Sequence, residues 1–198
     1  FAQTEEFEKN IRIIQQKSFI KKGRFEALPS FGISLNETLT SHFNTGIAVN
    51  YYFTDQISFG LSYQKYFGEM SDLATEVGDD FQIYPEKRLI NQYIGGHAAY
   101  TPIYGKLLVV DNFIVYYDLY VTAGAGATKT AKRTQHFTGN IGIGMKFFVF
   151  KFLALNVEFN DYIYNENFQS GDEIMNNFTL SFGLGVFVPP GFDYKYQK

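Results

Sequence analysis

The sequence predicts an all-β fold, an eight-stranded antiparallel up-and-down transmembrane β-barrel with a polar, filled lumen. Three observations predict it. Apolar residues alternate with small polar ones at a period of two along most of the chain. There are eight such stretches, and each runs about ten residues, which matches the ~9–11 that cross a bilayer when tilted. Their connections mostly alternate between tight turns and longer polar loops, the pattern of an outer-membrane barrel.

Composition narrows the alternatives. The chain has 198 residues, which suits one domain, and a net charge of -3 with no basic block, so nucleic acid is not an expected partner. Aromatic residues make up 19%, as 22 Phe and 15 Tyr, beside 18 Gly and 5 Pro. That balance favours strands over helices. The absence of Cys excludes disulfides, thiolate metal sites and a Cys nucleophile. No apolar run reaches the ~20 residues of a membrane-spanning helix, and the longest, Met145 to Leu155, is interrupted by Lys151.

Residues 1–23 read as a polar leader, with a short helix expected around 4–16. Its start, Phe1–Ala2–Gln3, reads as the end of a removed export signal. The barrel is expected over 24–188. The first strand, RFEALPSFGISL, sets Phe25, Ala27, Phe31, Ile33 and Leu35 against Arg24, Glu26, Ser30, Gly32 and Ser34. Pro29 cannot donate to a ladder, so a bulge or irregular pairing is expected there. The second, FNTGIAVNYYF, opposes Phe43, Ile47, Val49, Tyr51 and Phe53 to Asn44, Gly46, Ala48, Asn50 and Tyr52. A tight turn at Thr54–Asp55 leads to the third, QISFGLSYQKYF.

A long polar segment, roughly 68–88, follows. The fourth strand, QYIGGHAAY, alternates poorly, and TPIYGKLLVVDN after it reads as a connection. The fifth, FIVYYDLYVTAGAGA, opposes Val115, Tyr117, Leu119 and Val121 to Tyr116, Asp118, Tyr120 and Thr122. A basic loop, TKTAKRTQ, precedes the sixth, HFTGNIGIGMKF. A short turn near 148–152 leads to the seventh, LALNVEFNDYIY. After a loop at 165–173, the eighth, NFTLSFGLGVFV, alternates cleanly except at Phe187. Residues 189–198 form a tail.

The faces decide the environment. The small polar face includes Asp118, Glu158 and Lys146. On a lipid surface such charges cost about 2–4 kcal/mol each at the midplane. The other face is large and apolar on nearly every strand, more than a soluble monomer exposes to water. An inside-out barrel resolves both, and its closure pairs every backbone amide, as lipid requires. Tyr51, Phe53, Tyr63, Phe67, Tyr117, Phe147 and Phe152 sit towards strand ends, as interfacial girdles do. An even strand number puts both termini on one side, and the tight turns assign that side to the periplasm.

Three blocks carry a resemblance. The first joins Gln15–Gln16, Lys21–Lys22–Gly23–Arg24, Phe25–Glu26 with Pro29, and Asn36–Glu37. The second is TPIYGKLLVVDNFIVYYDLYVTAGAG, and the third is FTGNIGIGMKFFVFKFLALNVEFNDYIY. Together, over roughly 11–188, the chain resembles the myxobacterial-type outer-membrane β-barrel family. The resemblance implies the fold and an outer-membrane location beside envelope-machine components; it implies no activity and no cofactor. One departure is the stretch from Pro189–Pro190 to Lys198, since many outer-membrane barrels end at an aromatic on the last strand.

Catalytic motifs are sparse. Phosphate-loop, dinucleotide-binding and zinc patterns are absent, and AGAGATK is Gly-rich by composition only. Ser41–His42 is the one adjacent pair that a rim hydrolase would use, with no fixed acidic partner. Glu69, Asp72, Glu76, Asp79 and Asp80 match no calcium-loop spacing, so no metal is expected. The expected lumen network comprises Asp118, Glu158, Lys146, Tyr116 and Asn156, meeting across Gly142 and Gly144, because buried charges need partners. The expected function is a non-catalytic anchor or scaffold of an envelope assembly, set in outer-membrane lipid and lipopolysaccharide. Its partner surface would be Lys17, Lys21, Lys22 and Arg24 of the leader, Pro102, Tyr104, Gly105 and Lys106 of the connection, and the tail. The alternative is a narrow ion or small-solute channel, with a lipid hydrolase behind it.

Overall fold

A computed structural model describes residues 19–36, 40–70, 90–109, 113–130, 135–168 and 171–191, with the side chains of several strand-end residues outside that description. Eight strands run in chain order: β1 (Phe25–Ser34), β2 (Thr40–Tyr52), β3 (Ile57–Met70), β4 (Ile90–Val109), β5 (Phe113–Thr130), β6 (Gln135–Phe150), β7 (Leu153–Phe168) and β8 (Gly171–Val188). Each pairs antiparallel with its neighbour, and β1 pairs with β8, so the sheet is a closed barrel.

The barrel is inside-out. Leu61 is 72% exposed and Phe137 78%, while Glu26 and Thr179 are fully buried. On β1, Phe25, Phe31 and Ile33 point out and Glu26, Leu28 and Gly32 point in. The outward face carries Val49, Phe59, Ile94, Ile141, Leu155 and Phe182 around the circumference. A soluble chain would not leave such a belt in water, whereas acyl chains accept it. The aromatic girdle is present. Phe25, Tyr51, Phe53 and Phe59 touch in sequence near the termini, and Phe31, Phe43 and Phe67 do so towards the other end.

Several strands run longer than their alternation suggests. β4 continues through Thr101–Lys106, where a connection was expected. One extra residue at Thr101–Pro102 shifts the register between Tyr100 and Ile103, and Ile103–Val109 then pairs with Phe113–Leu119. β3 begins at Ile57, opposite Tyr100, so this β4–β5 ribbon outruns its neighbour. The poor alternation of β4 also has a cause. Within, Gly95 and Ala99 flank His97, and without lie Gly96 and Ala98, so size does not separate the faces; inside, the ring of Tyr93 fills the space over Gly95.

The expected loop at 165–173 is mostly ladder, since Asn165 pairs with Ile174 and Phe168 with Gly171. Pro29 makes no bulge against β2, where the register is continuous. Pairing with β8 is interrupted at 28–29 without a shift, the irregular outcome expected of a residue that lacks an N–H. The helix expected around 4–16 lies outside the described residues.

Candidate functional site

The lumen is built in layers between two aromatic clusters. At the termini end the chain does not enter β1 directly. Gly23, at φ 75°, takes the left-handed conformation that favours glycine. Its N–H donates to the Tyr52 carbonyl at 2.7 Å, and Arg24 N–H donates to the Lys21 carbonyl at 3.1 Å. This turn folds residues 19–22 back over the barrel mouth. Phe19 stacks on Phe148 at 3.9 Å and meets Phe187 edge-on at 5.1 Å. With Tyr52 and Ala154 they form a buried cluster, against which Tyr116 packs. Phe187, which breaks the alternation of β8, is thus an inward aromatic.

Arg24 closes this stopper. Its guanidinium lies 5.0 Å from the Phe19 and Phe187 ring centres. It donates to the carbonyls of Pro189 at 2.9 Å, Lys151 at 2.9 Å and Ile20 at 3.2 Å. Burial lowers its pKa from the ordinary value, with the Glu26 carboxylate opposing. The guanidinium fork therefore ties the entry of β1 to the β6–β7 turn and the exit of β8.

Two ion pairs lie beneath. Lys21 Nζ reaches Asp118 Oδ2 at 2.5 Å and Thr101 Oγ1 at 3.2 Å. Lys146 Nζ donates to both oxygens of Glu26 at 2.6 Å and to Tyr52 Oη at 2.8 Å. Tyr52 Oη in turn donates to Glu26 at 2.7 Å, and Asn50 Nδ2 does so at 3.1 Å. Lys21 is 1% exposed and Glu26 0%. Charges this deep persist only when paired and hydrogen-bonded.

In the next layer the one carboxyl group among the described residues is that of Glu158. Tyr120 donates to Glu158, Asn160 Nδ2 donates to it at 2.5 Å, and Tyr120 also reaches Asn156 Oδ1 at 2.9 Å. A Cβ at Gly144 would collide with the Tyr120 ring, so that glycine lets Tyr120 lie over β6 and reach β7. His97 sits 2.8 Å from Asn50 Oδ1. Beyond, Tyr93, Tyr162, Tyr66, Tyr164 and Ile90 form the second cluster, knitted by Gln64 to Tyr162 at 2.8 Å and Tyr66 to Gln64 at 2.9 Å. The cavity left between the clusters is about 60 Å³ and is bordered by Asn50, His97, Asn140, Glu158 and Ser181. That is room for a few water molecules, in keeping with an eight-stranded lumen filled by side chains.

The expected site residues are partly rearranged. Asp118 and Lys146 are register partners, but each takes its counter-ion elsewhere. Asn156 joins the Tyr120 hydrogen bonds, whereas Tyr116 belongs to the aromatic stopper, beside Lys106 at 5.5 Å. Lys21 and Arg24, expected on the partner surface, with Arg24 also a candidate counter-ion for the lumen carboxylates, are buried in the mouth at 1% and 2% exposure. Lys22 is exposed, and its N–H donates to Asp55 at 3.0 Å. Pro102, Tyr104 and Lys106 are exposed along the β4 ribbon, with Gly105 half-buried between them. Lys17 and the acidic residues of 72–80 lie outside the described residues, as do the Ser41, His42 and Glu69 side chains. Glu26 was not singled out from sequence. Its signal was its place on the small polar face of the first strand, where a carboxylate must find a cation.

No family model matches the chain, and no curated protein matches it. Solved structures similar to it include a de novo designed transmembrane β-barrel, at 16% identity over 85% of this chain and 98% of that one, with a TM-score of 0.46. Neisserial surface protein A matches at 11% identity over 84% of this chain and 97% of that one, TM-score 0.43. OprG from Pseudomonas aeruginosa matches at 10% identity over 85% and 97%, TM-score 0.44. The likeness is one of fold alone.

Proposed function

We propose that the protein is a non-catalytic outer-membrane anchor that holds a periplasmic leader in a fixed place for an envelope partner. Both termini face the periplasm in this reading. One observation carries it: Phe19, Lys21 and Arg24 are locked into the barrel mouth by ring stacking, a 2.5 Å ion pair and three carbonyl hydrogen bonds. A leader tied to the inside of a barrel transmits position and load to whatever binds upstream. The exposed ribbon from Pro102 to Lys106 supplies a second contact surface beside the mouth. A lumen filled from both ends supports an anchor over a conduit.

The test is affinity isolation of the tagged protein from outer membranes opened in mild detergent. Stoichiometric partners that vanish on deletion of residues 1–18, while the barrel remains folded, support the anchor. A lone barrel, or partners indifferent to that deletion, refutes it. Stepwise conductance in a planar bilayer would replace it with the channel reading.

A further inference from the structure

The outward face of the barrel changes chemistry along one cross-strand row. Ile47, Tyr63, Ile94, Ala127 and Phe137 are successive register partners across β2 to β6, and all point outward. The next outward row towards the far end reads Thr45, Lys65, Gln92, Lys129 and Gln135. On β4 to β6 the apolar belt stops at this row, while on β2 and β3 one further outward pair, Phe43 and Phe67, lies beyond it; the row itself brings in two lysines and two glutamines. A register shift at Asn91, between Ile90 and Gln92, brings Gln92 into this row.

We propose that this row binds the phosphate of an anionic lipid headgroup, the phosphorylated glycolipid of the outer leaflet. The inference rests on the periplasmic placement of the termini proposed above, which turns the far end outward. Lys65 and Lys129 stand two strands apart, about 10 Å at the backbone. Their long stems can converge on one phosphate or hold two, with the Gln92 amide between them. Neither lysine forms an ion pair with a carboxylate among the described residues. Lys65 instead has its ammonium 5.1 Å from the Phe67 ring centre, at the level where interfacial aromatics sit. The charge is also confined to one sector. On the β7–β8 side the outward surface carries no cation at this level among the described residues; Asp161 and Asn176, hydrogen-bonded at 3.1 Å, stand there among the apolar Ile163 and Ile174. An anionic headgroup is thus drawn to β3–β5 and repelled from β7.

The experiment uses the full chain in neutral phosphatidylcholine nanodiscs doped with diphosphoryl lipid A, dephosphorylated lipid A or phosphatidylglycerol, with native mass spectrometry counting retained lipid. Lys65→Gln and Lys129→Gln point outward and leave the lumen untouched; unchanged heat-modifiable gel migration verifies their folding. Diphosphoryl lipid A should be retained over its dephosphorylated form. Each substitution should weaken retention about fivefold, and the pair about 25-fold, as expected for cations at an anionic membrane surface. Equal retention by the double variant, or equal retention of dephosphorylated lipid A, overturns the site. Lysine-dependent retention of phosphatidylglycerol but not lipid A overturns the leaflet assignment and the proposed orientation, leaving the anchor test untouched. Displacement of lipid A by millimolar inorganic phosphate overturns the lipid in favour of free phosphate.

Discussion

The two halves of the lumen solve the same problem differently. Near the termini, Glu26, Lys146, Asp118 and Lys21 are all but sealed from solvent, and each has a counter-ion within 2.6 Å. Towards the far end the interior is made of amides, hydroxyls and phenols, and several of these lack a protein partner. Both amide atoms of Asn44, the Asn177 Nδ2 and the Ser181 Oγ are buried without one among the described residues. Ion pairs hold one geometry, because a buried charge cannot be left alone. Neutral polar groups are content with a few waters, and the small cavity bordered by Ser181 has space for them. The termini half is therefore the fixed half, and it is the half that grips the leader.

The most severe way to break this contrast is to orphan a buried charge. Lys146→Met leaves Glu26 with only Tyr52 and Asn50, and should cost about 3–5 kcal/mol in urea unfolding of the barrel in lipid vesicles. Adding Glu26→Leu should restore most of that loss, since apolar pairs often replace buried ion pairs at little cost. A double variant no better than the single would show that Glu26 has a further role.

Asp118→Asn comes next, at about 1.5–3 kcal/mol. Lys21 lies in the folded-back leader and can swing out once unpaired, so the clearer readout is trypsin cleavage after Lys21 or Lys22. Cleavage should accelerate while the barrel stays intact. The smallest effect belongs to the far half. Asn44→Ala should shift stability by less than about 1 kcal/mol, because it removes atoms that have no protein partner. A larger loss at Asn44 than at Asp118 would invert the comparison.

Much of the wall was legible because its two sides contact different solvents. Where one face met lipid and the other the lumen, period-two alternation survived and strands β1 to β3 and β5 to β8 were readable. It failed at β4, where Gly95 and Ala99 within and Gly96 and Ala98 without keep size from separating the faces. Ladder extensions such as 165–168 with 171–174 were hidden because polar residues in strands beyond the membrane look like loops.

In the candidate site, the ionic lumen was foreseeable but its pairing was not. Asp118 and Lys146 do lie side by side, yet Glu26 and Lys21 claim them. Register across the barrel and a glycine turn at Gly23 decide that, and neither follows from local composition. Lys21 resembled the other leader cations because charge alone does not say which side chain turns inward, whereas Arg24 already stood on the small polar face of the first strand.

The β1–β8 seam has its own consequence. It joins the two ends of the chain with no turn between them, and its ladder lapses at Leu28–Pro29, whereas β7–β8 is unbroken from Leu153 to Phe168. Its interrupted ladder makes it the seam expected to part first under strain. Arg24 spans its lower end as a rivet, bound to the Pro189 carbonyl. The hook formed by Asn36 does the same above, donating to the Asn176 carbonyl at 2.6 Å and receiving the Phe178 N–H at 2.9 Å. The fracture line of the cylinder is thus pinned at both ends and left weakest at the proline between them.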